Sequence, residues 1–276
     1  MRPETRAKRE RLFAAIRVRP VVMGILNVTP DSFSDGGRFA RVDDAVAQAR
    51  ALSAEGCDVI DVGGESTRPE AVPVAAEEEL RRVAPVLTAL GAMDDVTLSI
   101  DTSKAAVAEH ALDAGAVLVN DVWGLQKDPA LAGVVAAAEA GVVLMHNRAE
   151  RDEAIDIVAD MRSFFDRSLA IAAKAGIPRE RVLLDPGIGF GKTARQNRDA
   201  LLGIDALAAY GLPVLIGVSR KGFLGSLTEG RPETTLAGTI AANLAAAARG
   251  ARVFRVHDVA PHVAALRVFA ALSGAE

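Results

Sequence analysis

Polar and charged side chains recur at the ends of apolar segments along this chain. The clearest case is Asp185-Pro-Gly-Ile-Gly-Phe-Gly-Lys192, which follows the mostly apolar segment 181–184. An acid at a strand end, followed by a glycine-rich turn, places a carboxylate where backbone can approach a ligand closely. Because the carboxyl ends of parallel strands meet at one face of a barrel, this recurrence predicts one shared site. The other strand-end residues are Asn27, Asp61, Asp101, Asn120, Asp121, His146, Ser219, Arg220, Lys221, Arg255, His257 and Asp258.

Asp101, Asn120 and Asp185 are predicted to converge, because alternate strands of a barrel project their side chains inward in layers. Carboxylates and an amide offer acceptors and donors to a flat heterocycle that carries an amino group and a ring amide. Lys221 adds a donor for a ring carbonyl or a ring nitrogen. The competing interpretation is that Asp101 and Asp185 only cap the helices that follow them. His146 is interpreted as a supporting residue rather than a catalytic one.

Asn27, Arg68, Arg255 and His257 form a second candidate group. Arginine binds phosphate oxygens through two parallel hydrogen bonds and stays charged, and an imidazole can add a further contact. Asn27 offers an oxygen of the kind that Mg²⁺ accepts beside phosphate oxygens and water, so it is the candidate metal ligand. The competing interpretation for Arg255 is a salt bridge to Asp258 or to another barrel acid.

These residues need a scaffold, and the sequence repeats strand, loop and helix about eight times. The candidate strands are rich in Val, Ile and Leu without polar alternation, as expected for strands buried on both faces. Eight such units predict an α/β fold, a closed (β/α)8 TIM barrel, with an open doubly wound sheet as the alternative. The predicted strands are 21–27, 58–62, 96–101, 116–121, 142–146, 182–185, 213–218 and 252–256. The predicted helices are 42–55, 76–90, 104–114, 129–140, 153–175, 197–210, 234–249 and 259–273.

Composition limits the class of protein. The 276 residues, 50% of them hydrophobic, suit a single barrel domain over 1–276. A net charge of −4 argues against a general nucleic-acid binder but allows a small anionic ligand. Cys57 is the only cysteine, which excludes an intrachain disulfide and indicates a reducing, cytoplasmic setting. No apolar segment reaches the ~18 residues of a membrane span, and the basic start 2–11 lacks the apolar stretch of a signal peptide.

Two of the links that leave strands are long, 28–41 after strand 1 and 63–75 after strand 2. Long loops rich in Ser, Thr, Gly and Pro on a compact scaffold usually carry function or move. The alanine-rich segment 236–248 is a strong helix former with small side chains. It could pack closely against the barrel or form a subunit interface, and the sequence leaves both open.

Two long segments match known signatures. Met23-Gly-Ile-Leu-Asn-Val-Thr-Pro-Asp-Ser-Phe-Ser-Asp-Gly-Gly37 closely resembles the opening signature of the dihydropteroate synthases, and Asp61-Val-Gly-Gly-Glu-Ser-Thr-Arg-Pro69 resembles their second signature. Shorter matches follow in the family's order at Ser99-Ile-Asp-Thr102, Asn120-Asp121, Met145-His146, 185–192, Ser219-Arg-Lys221 and Arg255-Val-His257. The resemblance covers roughly residues 20–260 and departs at Glu70, Asn147-Arg-Ala-Glu150 and Gly222.

The resemblance implies a (β/α)8 enzyme of folate synthesis, a homodimer that uses Mg²⁺. It would join 4-aminobenzoate to (7,8-dihydropterin-6-yl)methyl diphosphate, giving 7,8-dihydropteroate and diphosphate. By the family pattern the pterin is held by Asp101, Asn120, Asp185 and Lys221, in a slot lined by Met145, Phe190 and Gly217. The diphosphate and Mg²⁺ correspond to Asn27, Arg68, Arg255 and His257, and the aminobenzoate to Phe33, Thr67, Pro69 and Ser219.

The family is thought to break the C–O bond first, which leaves a pterin methylene cation and diphosphate. Mg²⁺, Arg68, Arg255 and His257 would then stabilise the departing negative charge. The resemblance leaves two rivals. A catalytically silent paralogue would bind a pterin only, although Phe33, Arg68 and His257 argue against it. A pterin-binding methyltransferase domain would need a corrinoid partner and would lack the motifs at 66–69 and 219–221.

Overall fold

The computed structural model describes residues 1–29, 38–65, 73–227 and 235–273. Phe33, Thr67, Arg68, Pro69 and Glu70, with parts of both long loops, lie outside the described residues. Within the described ranges the strands are β1 (Val21–Asn27), β2 (Val59–Gly63), β3 (Leu98–Asp101), β4 (Leu118–Asp121), β5 (Gly141–Met145), β6 (Val182–Asp185), β7 (Val214–Ile216) and β8 (Ala251–Val256).

These strands form a closed parallel barrel. Each strand pairs with its neighbour in sequence, and β8 pairs back onto β1 with Val21 opposite Val253. All of β2 to β7 are buried along their whole length, which explains their continuous apolar sequences. The TIM-barrel prediction is confirmed, and the alternative of an open sheet is wrong.

Helices surround the barrel and cover its amino-terminal end. In the described ranges they are α1 (Pro3–Val18), α2 (Arg38–Ala54), α3 (Ala76–Gly91), α4 (Ala105–Ala114), α5 (Leu131–Ala137), α6 (Ile157–Ala175), α7 (Ala194–Leu202), α8 (Ile204–Leu207), α9 (Gly222–Leu227), α10 (Thr235–Ala247) and α11 (Val259–Ser273). The helix predicted over 153–175 starts later, because the Asp156 carboxylate caps α6. The helix predicted over 197–210 starts earlier and is interrupted at Gly203, where a Cβ would lie 2.8 Å from Val158.

Helix α1, which was not predicted from the sequence, closes the bottom of the barrel. Its Leu12, Phe13 and Ile16 are buried in one cluster with inward-facing residues of the strands. Gly141 permits this contact, because a Cβ there would lie 2.5 Å from the Phe13 ring. The basic side chains of α1 take a second role. Lys8 Nζ donates to the main-chain oxygen that follows α3, and the guanidinium of Arg2 donates to the last carbonyl of α4.

Two further predictions concern membrane spans and Cys57. No helix in the described ranges combines the length and apolarity that a transmembrane span requires. Cys57 packs at the edge of the core, and burial raises the pKa of its thiol to about 12. A thiol that stays protonated is a poor nucleophile, so the Cys57 side chain is better suited to packing than to reaction.

Candidate active site

Asp61, Asp101, Asn120 and Arg255 form a hydrogen-bonded cluster at the mouth of the barrel. Asp101 is in register with Asn120 on the next strand, so the two side chains share one layer. Arg255 Nε donates to Asp61 Oδ2 and Arg255 Nη2 donates to Asp101 Oδ2, both at 2.7 Å. Asn120 Nδ2 donates to Asp61 Oδ2 at 3.0 Å. The closed barrel therefore joins the ends of β2, β3, β4 and β8 into one polar group.

One oxygen of each acceptor in this cluster is unsatisfied. Asp61 Oδ1, Asp101 Oδ1 and Asn120 Oδ1 are buried and have no hydrogen-bond partner among the described residues. A buried polar atom without a partner costs about 1–3 kcal/mol, so proteins keep such atoms mainly where a ligand or water satisfies them. The cluster thus offers acceptors to a ligand that brings N–H donors.

Asp185 and Lys221 lie on the opposite side of the mouth. Asp185 Oδ1 accepts the Gly187 N–H at 2.7 Å. Lys221 Nζ donates to Ile188 O and lies 4.4 Å from the centroid of the Phe190 ring. Burial raises the pKa of Asp185, against the opposing charge of Lys221, and burial lowers the pKa of Lys221 to about 8, against the charge of Asp185. Each group therefore supports the ionised form of the other.

Gly217 lies between the two sides, where the resemblance places the pterin slot. A Cβ at Gly217 would lie 4.0 Å from both Asp185 Oδ2 and Arg255 Cβ, so this glycine connects them without filling the gap. Met145 is buried and in register with Asp185. The structure therefore brings the residues predicted to bind a pterin into one place.

The capping interpretation of Asp101 and Asp185 is wrong. The residue at the start of α4 is Lys104, and no side chain caps that helix. Thr193 caps α7 in a reciprocal pair with Gln196. Asp185 instead accepts from its own loop, and Asp101 pairs with Arg255.

The sequence assigned Arg255 only to the residues predicted to bind the diphosphate, but in the structure it also contacts the residues predicted to bind the pterin. It makes the competing salt bridges, to Asp61 and Asp101 rather than to Asp258. Asp258 pairs with Arg220 at 2.6 Å near the surface. Because a guanidinium has five N–H donors, the two bonds to carboxylates leave others for an anion. Arg255 consequently connects the two predicted groups.

His257, Ser219 and Asn27 complete the described part of the phosphate side. His257 Nδ1 lies 2.9 Å from Ser219 Oγ, which also accepts the His257 main-chain N–H at 3.2 Å. Ser219, predicted for the aminobenzoate, therefore contacts a residue predicted for the diphosphate. Asn27 is exposed at the end of β1, with Oδ1 3.6 Å from the position that a Cβ at Gly63 would take. Arg68, predicted to join this group, lies outside the described residues.

Asn27 is the predicted magnesium ligand among the described residues. Among the residues that the structure describes, no three His, Cys, Asp or Glu side chains are grouped as a metal cage. Mg²⁺ bound through substrate phosphates keeps several waters and needs only one or two protein oxygens. An exposed amide oxygen at the mouth fits that mode of binding.

Sequence reasoning missed the roles of Asp61 and Lys192. Asp61 lies in the second signature and is fully buried, and its pairing with Arg255 could have been suggested only by its strand position. Lys192 closes the glycine-rich segment and is buried among carbonyls. His146, interpreted from the sequence as a supporting residue, is fully buried, and its Nε2 lies 3.0 Å from Asp160 Oδ2.

The atypical segment 147–150 packs beside the glycine-rich loop. A Cβ at Gly191 would lie 2.5 Å from Arg148 O, so the two loops touch through backbone. Arg148 Nη1 donates to Asp160 Oδ2 at 2.7 Å, which fixes the segment to α6. Gly222, another departure, starts α9 with open space around its Cβ position.

Comparison with known proteins gives consistent results. The family of pterin binding enzymes matches residues 23–257. The chain is 44% identical to the dihydropteroate synthase of Bacillus subtilis over 241 residues, 87% of this chain and 84% of that protein. A probable bifunctional folylpolyglutamate synthase/dihydropteroate synthase of Haloferax volcanii is 48% identical over 253 residues, and the match spans 90% of this chain but only 30% of that longer protein.

Solved structures agree with this. The crystal structure of a dihydropteroate synthase from Clostridium difficile in the presence of pteroic acid superposes with a TM-score of 0.89 at 44% identity, covering 92% of this chain and 97% of that one. The enzyme of Xanthomonas albilineans with 4-aminobenzoic acid superposes with a TM-score of 0.87 at 48% identity, covering 92% and 93%.

Proposed function

This chain belongs to the dihydropteroate synthase family, and on that premise we propose how its barrel mouth performs the family's reaction. The family resemblance seen in the sequence is confirmed by the matches over most of both chains. The reaction is that of a transferase in folate synthesis. It condenses (7,8-dihydropterin-6-yl)methyl diphosphate with 4-aminobenzoate and yields 7,8-dihydropteroate and diphosphate.

The observation that carries the proposal is the set of buried acceptors without partners. The 2-amino group and the ring N–H groups of a pterin are donors, and they would satisfy the unpartnered oxygens of Asp101 and Asn120. Asp185, whose Oδ1 accepts the Gly187 N–H, would offer its other oxygen. Lys221 would donate to a ring nitrogen or carbonyl. Phe190, above which Lys221 already lies, would contact the ring, with Met145 and Gly217 forming the wall of the slot.

The diphosphate would lie at the outer edge of the slot. Arg255 would use its remaining donors, and His257 would add the nitrogen that faces away from Ser219. Asn27 would hold a magnesium ion, which supplies positive charge to the diphosphate when bound. Arg68, outside the described residues, is proposed as a further phosphate contact.

The chemistry then follows from charge. When the C–O bond breaks, negative charge grows on the leaving diphosphate beside Arg255 and His257, where fixed donors stabilise it. Positive charge spreads over the pterin beside the carboxylates of Asp101 and Asp185. The aromatic amine of 4-aminobenzoate is neutral at pH 7, so no strong base is needed. Ser219 is proposed as its contact in the described residues, with Phe33, Thr67 and Pro69 as further contacts.

We also propose a cytoplasmic homodimer. The support is the family resemblance together with α10, whose many alanines allow another helix to approach closely and whose Leu236 is 38% exposed. Light scattering at micromolar concentration should give twice the chain mass of 28.8 kDa. A monomeric mass would contradict the dimer. The alanines of α10 would then serve only to pack the helix closely against the barrel.

The experiment that tests the function is a continuous assay of diphosphate release. Release should require the pterin diphosphate, 4-aminobenzoate and Mg²⁺ together. Omission of 4-aminobenzoate is the matched control, because it leaves the pterin site occupied. Pterin binding by calorimetry without any release in the complete mixture would instead support the catalytically silent paralogue.

A further inference from the structure

Lys192 is a buried lysine whose ammonium group is surrounded by main-chain carbonyls. Its exposed fraction is 2%. Lys192 Nζ donates to Gly187 O at 2.8 Å and to Phe190 O at 3.1 Å, and it lies 3.4 Å from His146 O. An ammonium has three donors, so these carbonyls account for all of them. The partners of this cation are therefore peptide oxygens of two loops rather than a carboxylate.

The carbonyls converge because the loop after β6 is wound tightly against the end of β5. Gly187 has a φ of 64°, and a Cβ there would lie 1.8 Å from His146 O. Only glycine permits this close approach. Carbonyl oxygens that point at one spot repel one another, and a cation between them removes that repulsion. The path of the loop thus depends on the charge at its centre.

The outer side of the same loop meets the slot. Lys221 Nζ donates to Ile188 O and lies over the Phe190 ring. Ile188 stands between the carbonyls of Gly187 and Phe190 that Lys192 holds. A shift of this loop would move both the amine and the ring that face the slot.

We propose that Lys192 is a positioning residue for the pterin slot, which holds the loop 186–191 from within so that Lys221 and Phe190 stand where the ring binds. Lys192 itself does not touch the pterin. The proposal rests on the proposed function, because it assigns Lys221 and Phe190 to the pterin. It does not involve the diphosphate side of the mouth.

A buried lysine is electrostatically unfavourable at this position, so its presence calls for a reason other than packing. Burial lowers the pKa of Lys192 to about 7. Asp185 and Asp160 favour its charged form, whereas Lys221 and Arg148 disfavour it. A buried charge without a carboxylate partner is costly, so an apolar side chain would fill the space more cheaply if filling were its only role.

The test compares two ligands, each of which binds to only one of the two proposed parts of the mouth. Calorimetry measures binding of 6-hydroxymethyl-7,8-dihydropterin, which lacks the diphosphate, and of pyrophosphate. Lys192→Met should weaken pterin binding by about tenfold or more, because it removes the ammonium donor from three carbonyls and leaves Gly187 O with only the Phe190 N–H. Pyrophosphate affinity should stay within about twofold, since its proposed ligands lie on other strands. In turnover the KM for the pterin diphosphate should rise more than the KM for 4-aminobenzoate.

Two further variants make the result specific. Lys192→Gln keeps two N–H donors in a neutral side chain, so its pterin affinity should fall between those of the parent and Lys192→Met. Lys174→Met is the matched control, because Lys174 is exposed on the neighbouring helix α6 and should leave both ligands unaffected. Near-ultraviolet circular dichroism and the melting temperature establish that each variant is folded.

Several results would overturn the inference. Pterin binding by Lys192→Met within twofold of the parent would do so, as would equal losses for the pterin and for pyrophosphate, which indicate general destabilisation. If Lys192→Met does not fold, Lys192→Gln carries the same comparison, and failure of both to fold assigns Lys192 to stability alone. A parent protein that binds no pterin would instead refute the proposed function.

Discussion

Replacing Asp185 with Asn is expected to weaken pterin binding while leaving the barrel stable. In the structure Asp185 Oδ1 accepts the Gly187 N–H at 2.7 Å, and Oδ2 lies on the side of Gly217. An asparagine can keep the first bond only by placing its NH2 group where Oδ2 was. A donor would then face the donors of the pterin. A buried mismatch of this kind costs about 1–3 kcal/mol, which corresponds to an affinity about 5- to 150-fold lower.

The substitution should change the free energy of unfolding only slightly. It removes the cost of burying a carboxylate, and it also removes the attraction between that carboxylate and Lys221. Burial raises the pKa of Asp185, so the carboxylate is harder to ionise in the folded protein than in the unfolded chain. Such a group stabilises the fold at low pH, and that contribution is lost as the pH rises through its folded pKa. Asparagine removes this burial cost but also removes the attraction to Lys221. We expect the free energy of unfolding at pH 7 to change by less than about 1 kcal/mol.

Isothermal titration with a pterin analogue and urea unfolding of the same samples measure the two quantities. Asp199→Asn is the matched control, because it makes the same chemical change on the surface of α7 and should alter neither. Unchanged pterin affinity in Asp185→Asn would refute the assignment. A loss of affinity that accompanies a large loss of stability would show that the carboxylate is structural.

Pterin affinity should also fall as the pH rises through 8, because burial lowers the pKa of Lys221 to about 8 and the neutral amine has lost its charge and one donor. In calorimetric titrations, Lys221→Met should abolish this fall in affinity near pH 8. Lys104→Met should lower the free energy of unfolding, measured by urea denaturation, by about 3–5 kcal/mol, because it leaves the fully buried Glu79 without its salt-bridge partner. His257→Ala should weaken pyrophosphate binding and spare a pterin without diphosphate. Arg255→Ala should weaken both ligands, since it also pairs with the cluster acids, and equal behaviour of these two variants would contradict that division.

The barrel could be predicted because its sequence signal is local. Each buried strand is a short apolar segment that ends in a polar residue, as in 182–185, and a helical segment follows. Eight repeats of that unit leave few architectures open. The converging residues followed from the same logic, since Asp101 and Asn120 end neighbouring strands and stand in register.

The pairing of Arg255 could not be predicted in the same way. It is separated from Asp61 by 194 positions, and only the closure of β8 onto β1 brings the two together. Residue type allows a guanidinium to bind either a phosphate or a carboxylate, so the sequence kept both options. The loop residues Phe33 and Arg68 lie outside the described residues, and their proposed contacts stay predictions.

Helix α1 was missed because its apolar and basic signals overlap. Leu12, Phe13 and Ile16 have helical spacing, but they follow a basic segment whose composition is typical of a solvent-exposed terminus. In the structure those cations are used internally, as Arg9 Nη1 donates to the carbonyl of Glu139. A positive charge at the end of a helix is favourable there, since the carbonyls carry partial negative charge. A charge count gives no information about such partners.

The acids at the mouth of this barrel lower the stability of the free protein, and a bound ligand would offset that cost. Asp61 and Asp101 share the single guanidinium of Arg255, so these two buried carboxyl groups have one cationic partner within the cluster. Burial raises the pKa of Asp101, which is the direction expected of a carboxylate that lacks enough partners. Apolar side chains of similar volume would stabilise the fold but would remove the acceptors. Because a pterin brings N–H donors and, after C–O cleavage, positive charge, we expect these acids to stabilise the bound ring most when the leaving group departs.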